Sequence, residues 1–292
     1  NAGEITQEVN LDENVSAADL GVKEPKLLPD NPFYFLKNWG RGLRSLFTFN
    51  PVKKFELKSK FADEKLIEIK EMIKQNKNPK AIEKATENYE NEIDRVKKIS
   101  DKIKEKAEKN PKLNKFLDKW TRHQLLQQRL LEKLGKQVPA QAFKKIEAAR
   151  QKHLERFKDV MLRLENKDKL PERLEKAVKK QKGSKFKGIK ALEVLRRLEN
   201  TVPEEAKNAI KNAQERILKN TQERLEKMPQ RKREMIKNYM ERISGDPMEH
   251  MKILQDVTAI PQLKELREKA MEKLSERIEK RAEKKGCPTW TA

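Results

Sequence analysis

The sequence predicts an all-α protein: an extended array of long antiparallel helical hairpins, repeating as a two-helix unit of about sixty residues behind an irregular N-terminal arm. Composition is the first reason. Ala, Glu, Lys, Arg and Leu supply 53% of the 292 residues, the balance of long helices or coiled coil. Aromatic residues at 5% and only nine glycines make sandwiches, barrels and Rossmann-type sheets poor fits. Leu, Ile, Val and Phe reach 23%, just above the roughly 20% below which highly charged chains stay disordered, so the predicted core is thin. The other two reasons are a regular spacing of prolines and matched apolar registers around two of them.

Residues 1–31 have no helical periodicity and contain Pro25 and Pro29, which reads as a polar arm and linker. The arm carries seven acids and two bases, a net −5, and leaves +27 on the remaining chain. Residues 32–50 form an aromatic and basic capping segment with Phe33, Tyr34, Phe35, Trp39, Phe47 and Phe49 among Lys37, Arg41 and Arg44. Such a segment suits a basic helix lying in a bilayer surface. It also suits an aromatic plug closing one end of the array, with Gly40 and Gly42 permitting a bend, and the plug is preferred because long hairpins need a capped end.

Residues 51–285 are the predicted array. Prolines punctuate it at 51, 79, 111, 139, 171, 203, 229 and 261. A proline suits the first helical position, where its missing N–H would be unpaired anyway, so each is expected to open a helix. Asn50, Asn78 and Asn110 precede theirs as N-cap candidates, while Val138, Leu170, Val202 and Ile260 offer an apolar staple. Leu130, Leu131, Leu134 and Val138 before Pro139 correspond to Val194, Leu195, Leu198 and Val202 before Pro203. Ala142, Ile146 and Ala149 correspond in turn to Ala206, Ile210 and Ala213. Gly135, Gly183, Gly188 and Gly245 mark expected helix ends or breaks, and Lys176 to Lys190 an exposed joint. Residues 286–292 form a tail with the lone Cys287, which suggests a thiol partner on another chain or in a following cysteine-rich segment, or a simple exposed thiol.

Residues 28–68 carry specific text: Leu28-Pro29, Pro32, Tyr34, Leu36-Lys37, then Leu46 to Pro51, then Phe61-Ala62-Asp63-Glu64-Lys65-Leu66. This resembles an exported bacterial helical domain family of unknown function with an LPxxPxYxLK opening, an LTFxP hinge and a kfAdeRlaE helix. Asn50 stands where an acid is common in that family, and Lys65 where Arg is common. The resemblance implies an extracellular or cell-envelope location and brings no catalytic residues.

Asn1 is not an initiator Met, so an upstream segment, such as an export signal, is expected to have been removed. A single cysteine excludes an internal disulfide and a thiolate metal cluster. GxSxG, HExxH, GxxxxGKS and GxGxxG are all missing, and the acids are interleaved with Lys and Arg as on solvated helix faces, so no enzyme, cofactor or small-molecule substrate is expected. With a reversal near residue 137, His123 and His153 fall at similar heights on facing helices. A zinc site needs a third or fourth ligand and none is evident, so packed histidines are the preferred reading.

The expected function is that of a non-enzymatic exported structural or interaction protein. The alternative is a basic protein that binds a polyanion, whether nucleic acid, an anionic wall polymer or a membrane surface. Candidate interaction residues are Phe33, Tyr34, Phe35, Trp39, Arg41, Arg44 and Phe47, with Val9, Leu11, Val15 and Leu20 as apolar anchors of the arm. The arm is expected to dock on a basic body, preferably that of a neighbouring copy, building a homo-oligomer or filament.

Overall fold

Asparagine followed by proline sets the start of three successive helices. The computed structural model describes residues 15–181 and 187–227, with isolated positions beyond them, and these residues are all-helical without a strand. Helix α1 spans Tyr34–Leu46, α2 Pro51–Lys74, α3 Pro79–Ser100 and α4 Pro111–Gln137. After these come α5 Ala140–Leu164, α6 Leu170–Lys179, α7 Lys187–Glu199 and α8 Glu204–Glu226. Short 3-10 turns at Ala107–Lys109 and Lys167–Lys169 lead into α4 and α6.

The side-chain oxygens of Asn50, Asn78 and Asn110 accept from the N–H of Lys53, Lys80 and Leu113 at 3.0, 2.9 and 3.1 Å. Each satisfies a donor that the helix leaves unpaired, a contribution of about 1 kcal/mol. Pro139 caps α5 from just outside, and Pro171 is the second residue of α6. The turn between α2 and α3 places Asn76 at φ 53°, with Lys77 N–H on Met72 O and Asn76 N–H on Ile73 O. That is the paired C-terminal cap that a left-handed residue allows, and it reverses the chain within four residues. Pro229 is an isolated position just past the end of the continuously described chain, and Pro261, Gly183, Gly245, Ile260 and the tail with Cys287 lie outside the described residues.

Packing joins α2 to α3, α3 to α5, α4 to α5, α6 to α8 and α7 to α8, with α2 also against α4. Two buried clusters result. One gathers Phe55, Leu113, Trp120, Phe157, Leu195 and Ile210; the other joins Leu66, Met72, Tyr89, Leu130 and Ile146. Most of the residues matched in sequence around Pro139 and Pro203 are buried in both copies, Ile146 and Ile210 both fully.

Three expectations are corrected. Residues 15–31 are not a linker: Val15, Leu20, Val22 and Leu28 are buried in the second cluster of their own chain. Lys70 Nζ donates to Val15 O at 2.8 Å, Lys77 pairs with Asp30 at 2.9 Å, and Gly21 at φ 64° closes the turn. Apolar burial outweighs the charge attraction expected of this arm, and Val9 and Leu11 lie outside the described residues. The stretch from Lys176 to Lys190 is not simply an exposed joint, because Ala177, Val178, Gln181, Ile189 and Lys190 are buried. Gly188 does not end a helix. It sits in the first turn of α7, where a Cβ would collide with Thr221 of α8.

Candidate functional site

The aromatic segment does not plug the array. Helix α1 runs unbroken through Gly40 and Gly42, and its positions 35, 36, 39, 43 and 46 fall within an arc of about 100°. All five are apolar and exposed, Trp39 to 67%, and Phe33, Phe47 and Phe49 extend the same exposed surface. The face turned toward α2 is instead the polar one. Arg41, 7% exposed, donates from Nη2 to Glu64 Oε2 at 2.9 Å and to Glu68 Oε1 at 2.7 Å. Lys37 pairs with Glu68 at 2.6 Å, and Tyr34 Oη donates to Glu68 Oε2 while accepting from Arg41 Nη1 at 3.0 Å. Two cations thus meet two carboxylates. Burial, reinforced by the Glu68 carboxylate, raises the Tyr34 phenol so that it stays protonated and donating.

This inverted helix explains the plug's failure physically. A helix packs its apolar stripe inward only where an apolar groove receives it, and the surface of α2 facing α1 presents Glu64 and Glu68. Part of this network lies in the residues that carried the resemblance: Tyr34 and Lys37 of the opening pattern both meet Glu68, the last position of the kfAdeRlaE-like stretch, while Glu64 within that stretch meets Arg41. Sequence reasoning missed the pairing. The available signal was polar residues held at fixed places in two separate motifs.

A second feature is a cleft of about 930 Å³ between the N-terminal halves of α2 and α4, closed on one side by the Leu20-Gly21 turn. Lys53, Lys60, Lys112, Lys115 and Lys119 line it, all exposed and none in an ion pair among the described residues. Its acids are Glu56 and the buried Asp63. Val52, Leu57, Phe116 and Trp120 form its apolar wall.

At the floor lies a chain of buried hydrogen bonds. Tyr89 Oη donates to Gln127 Oε1 at 2.8 Å, and Gln127 Nε2 donates to Asp63 Oδ1 at 2.6 Å. Asp63 Oδ2 accepts a hydrogen bond from His123 Nδ1 at 2.9 Å. Burial raises Asp63, opposed by its bonds to His123 and Gln127. Both Asp63 oxygens accept, so His123 is held with Nδ1 as donor and its buried Nε2 left without a partner at the cleft.

His153 has a different environment. Gln128 Nε2 donates to Arg150 O at 2.9 Å, which sets the amide's orientation, and to His153 Nδ1 at 2.6 Å. The ring stacks on Tyr89 at 6.3 Å, and burial pushes its pKa down to about 3, so it is neutral. The structure thus gives the two histidines separate partners in place of the facing pair. Among the described residues no group of three or more His, Cys, Asp or Glu side chains is placed to hold a metal ion. No helix among them is long and apolar enough to cross a membrane.

The fold and these sites define an all-helical protein with a polar-anchored, outward-facing aromatic helix. The family model described as Domain of unknown function (DUF5667) matches residues 26–286, and the chain belongs to that family. Neither the curated proteins nor the solved structures give a match to this chain.

Proposed function

We propose that this is a non-enzymatic interaction protein of the exported, envelope-associated class, which docks on an anionic membrane surface through α1 and carries its helical hairpins as a scaffold. The carrying observation is the orientation of α1. Its Lys37 and Arg41 are spent internally on Glu64 and Glu68, and its Phe, Trp and Leu side chains face outward. Helices with such a face, flanked by cations such as the exposed Arg44, lie in the headgroup region. Charge selects the occupant. A chain of net +22 repels a second copy of itself and is drawn to anionic headgroups, each Lys or Arg near the surface contributing about 1 kcal/mol.

The hairpin repeat supplies the scaffold in this reading. Its support is the shared burial of Leu130 to Ala149 and Val194 to Ala213 at matched positions, with α4 on α5 and α7 on α8.

Sedimentation with vesicles tests the proposal. The protein is expected to pellet with phosphatidylglycerol vesicles and far less with phosphatidylcholine, with salt weakening the binding. Trp39→Ala combined with Phe47→Ala, both exposed, is expected to weaken binding by about tenfold or more, since each lost ring removes about 1.5–3 kcal/mol at full burial. Equal pelleting of the double variant, or no binding at low salt, overturns it.

A further inference from the structure

We infer that the cleft between α2 and α4 is a binding site for a phosphate group carried on a small organic body, with His123 at its floor. This rests on the cleft's own geometry and stands apart from the docking of α1.

The first ground is unspent charge. Several lysines elsewhere are paired, as Lys58 and Lys65 are with Glu92, Lys145 with Glu90 and Lys152 with Asp94. The five around the cleft have no such partner, and Glu56 and Asp63 are the acids among them. The second ground is the pair of helix starts. Asn50 and Asn110 cap α2 and α4 through the third helical N–H, which leaves Val52 and Lys112 at the second position outside the helical ladder. Both residues line the cleft. Two helix N-termini at one cavity add partial positive charge where an anion would sit.

His123 makes this a built site. It is 4% exposed, its Nδ1 is fixed by Asp63, and its Nε2 has no partner although the residue lines the cavity. An orphaned buried ring nitrogen costs free energy unless something fills its place. Held this way, Nε2 donates to a phosphate oxygen as imidazolium or accepts from a protonated one as imidazole. Ser59 adds a second buried, unpartnered Oγ at the same wall.

Phosphate fits better than carboxylate because a dianion with several acceptor oxygens matches this surplus of cations, and lysine serves as a point-charge phosphate ligand. The floor is closed by buried side chains, and the volume is that of a small-molecule cleft. Phe116 and Trp120 offer an apolar wall to the organic body.

Histidine-resolved NMR of the full chain at low ionic strength tests the site, using glycerol 3-phosphate as a soluble ester and dihexanoyl phosphatidic acid as a lipid. Saturable shifts of the His123 imidazole are expected, with His153 undisturbed. Lys60→Gln with Lys119→Gln is expected to raise the Kd by about tenfold or more, while Lys74→Gln with Lys84→Gln leaves it unchanged. All four lysines are exposed, so these variants keep the fold. Tighter binding of the lipid identifies the source as a headgroup with its acyl chain, and equal binding a soluble ester. No saturable shift up to about 10 mM of either probe, or equal loss in both double variants, overturns the inference whether or not α1 binds vesicles.

Discussion

Arg41 Nη2 lies 2.7 Å from Glu68 Oε1, and both side chains are buried between α1 and α2. The charged face of α1 is therefore its inner face. Removing one member of a buried ion pair strands the other without hydration, which costs more than the pair is worth. Glu68→Ala is expected to destabilise the protein by about 3–5 kcal/mol in chemical denaturation, and Glu68→Gln by less, because the amide oxygen still accepts from Arg41. Because Lys37 also loses its partner, α1 should become more open to limited proteolysis than α4.

Acid is expected to act through His153. Its pKa is about 3 in the folded chain against an ordinary 6.5, so the unfolded chain binds the proton more readily. The stability that depends on this neutral ring is fully present above pH 6.5 and is lost as pH falls toward 3. Between pH 6.5 and 5 the loss should be about 1.5–2 kcal/mol. His153→Leu should lower the absolute stability and remove that part of the slope, so the two unfolding curves approach one another in acid. Parallel pH profiles would show that His153 is not the titrating group.

Leu20 reports on the arm. It is 1% exposed, packed on its own chain in the cluster with Met72 and Leu130. Leu20→Ala is expected to cost about 2–4 kcal/mol while light scattering gives an unchanged mass. A drop in mass without a drop in stability would instead assign this anchor to a neighbouring copy.

Ile146 and Ile210 test the repeat. Both are fully buried at matched positions after Pro139 and Pro203. Their replacement by Ala should cost about 2–5 kcal/mol each and nearly equal amounts. A difference of several kcal/mol would mean that the two hairpins share a pattern but not an environment.

Much of the helical framework was legible in the residues themselves. Asn-Pro pairs start α2, α3 and α4 because capping and the missing proline N–H act within one turn, and the apolar steps from Phe143 to Leu164 mark a stripe that is buried from Ile146 onward, with Phe143 itself exposed, because helical periodicity is local. Composition alone placed the chain among thin-cored helical proteins. Tertiary structure decided what each stripe meets. The aromatic face of α1 points outward because Glu64 and Glu68, some thirty residues on, claim Tyr34, Lys37 and Arg41. His123 is held by Asp63 sixty residues away, not by His153, because α2 packs against α4. The arm folds back because Val15 and Leu20 bury against α2 and α4, a gain in apolar burial that net charge does not reveal. Periodicity and caps act within a few residues of chain, whereas an ion network or a cleft depends on which distant surfaces the packing brings together.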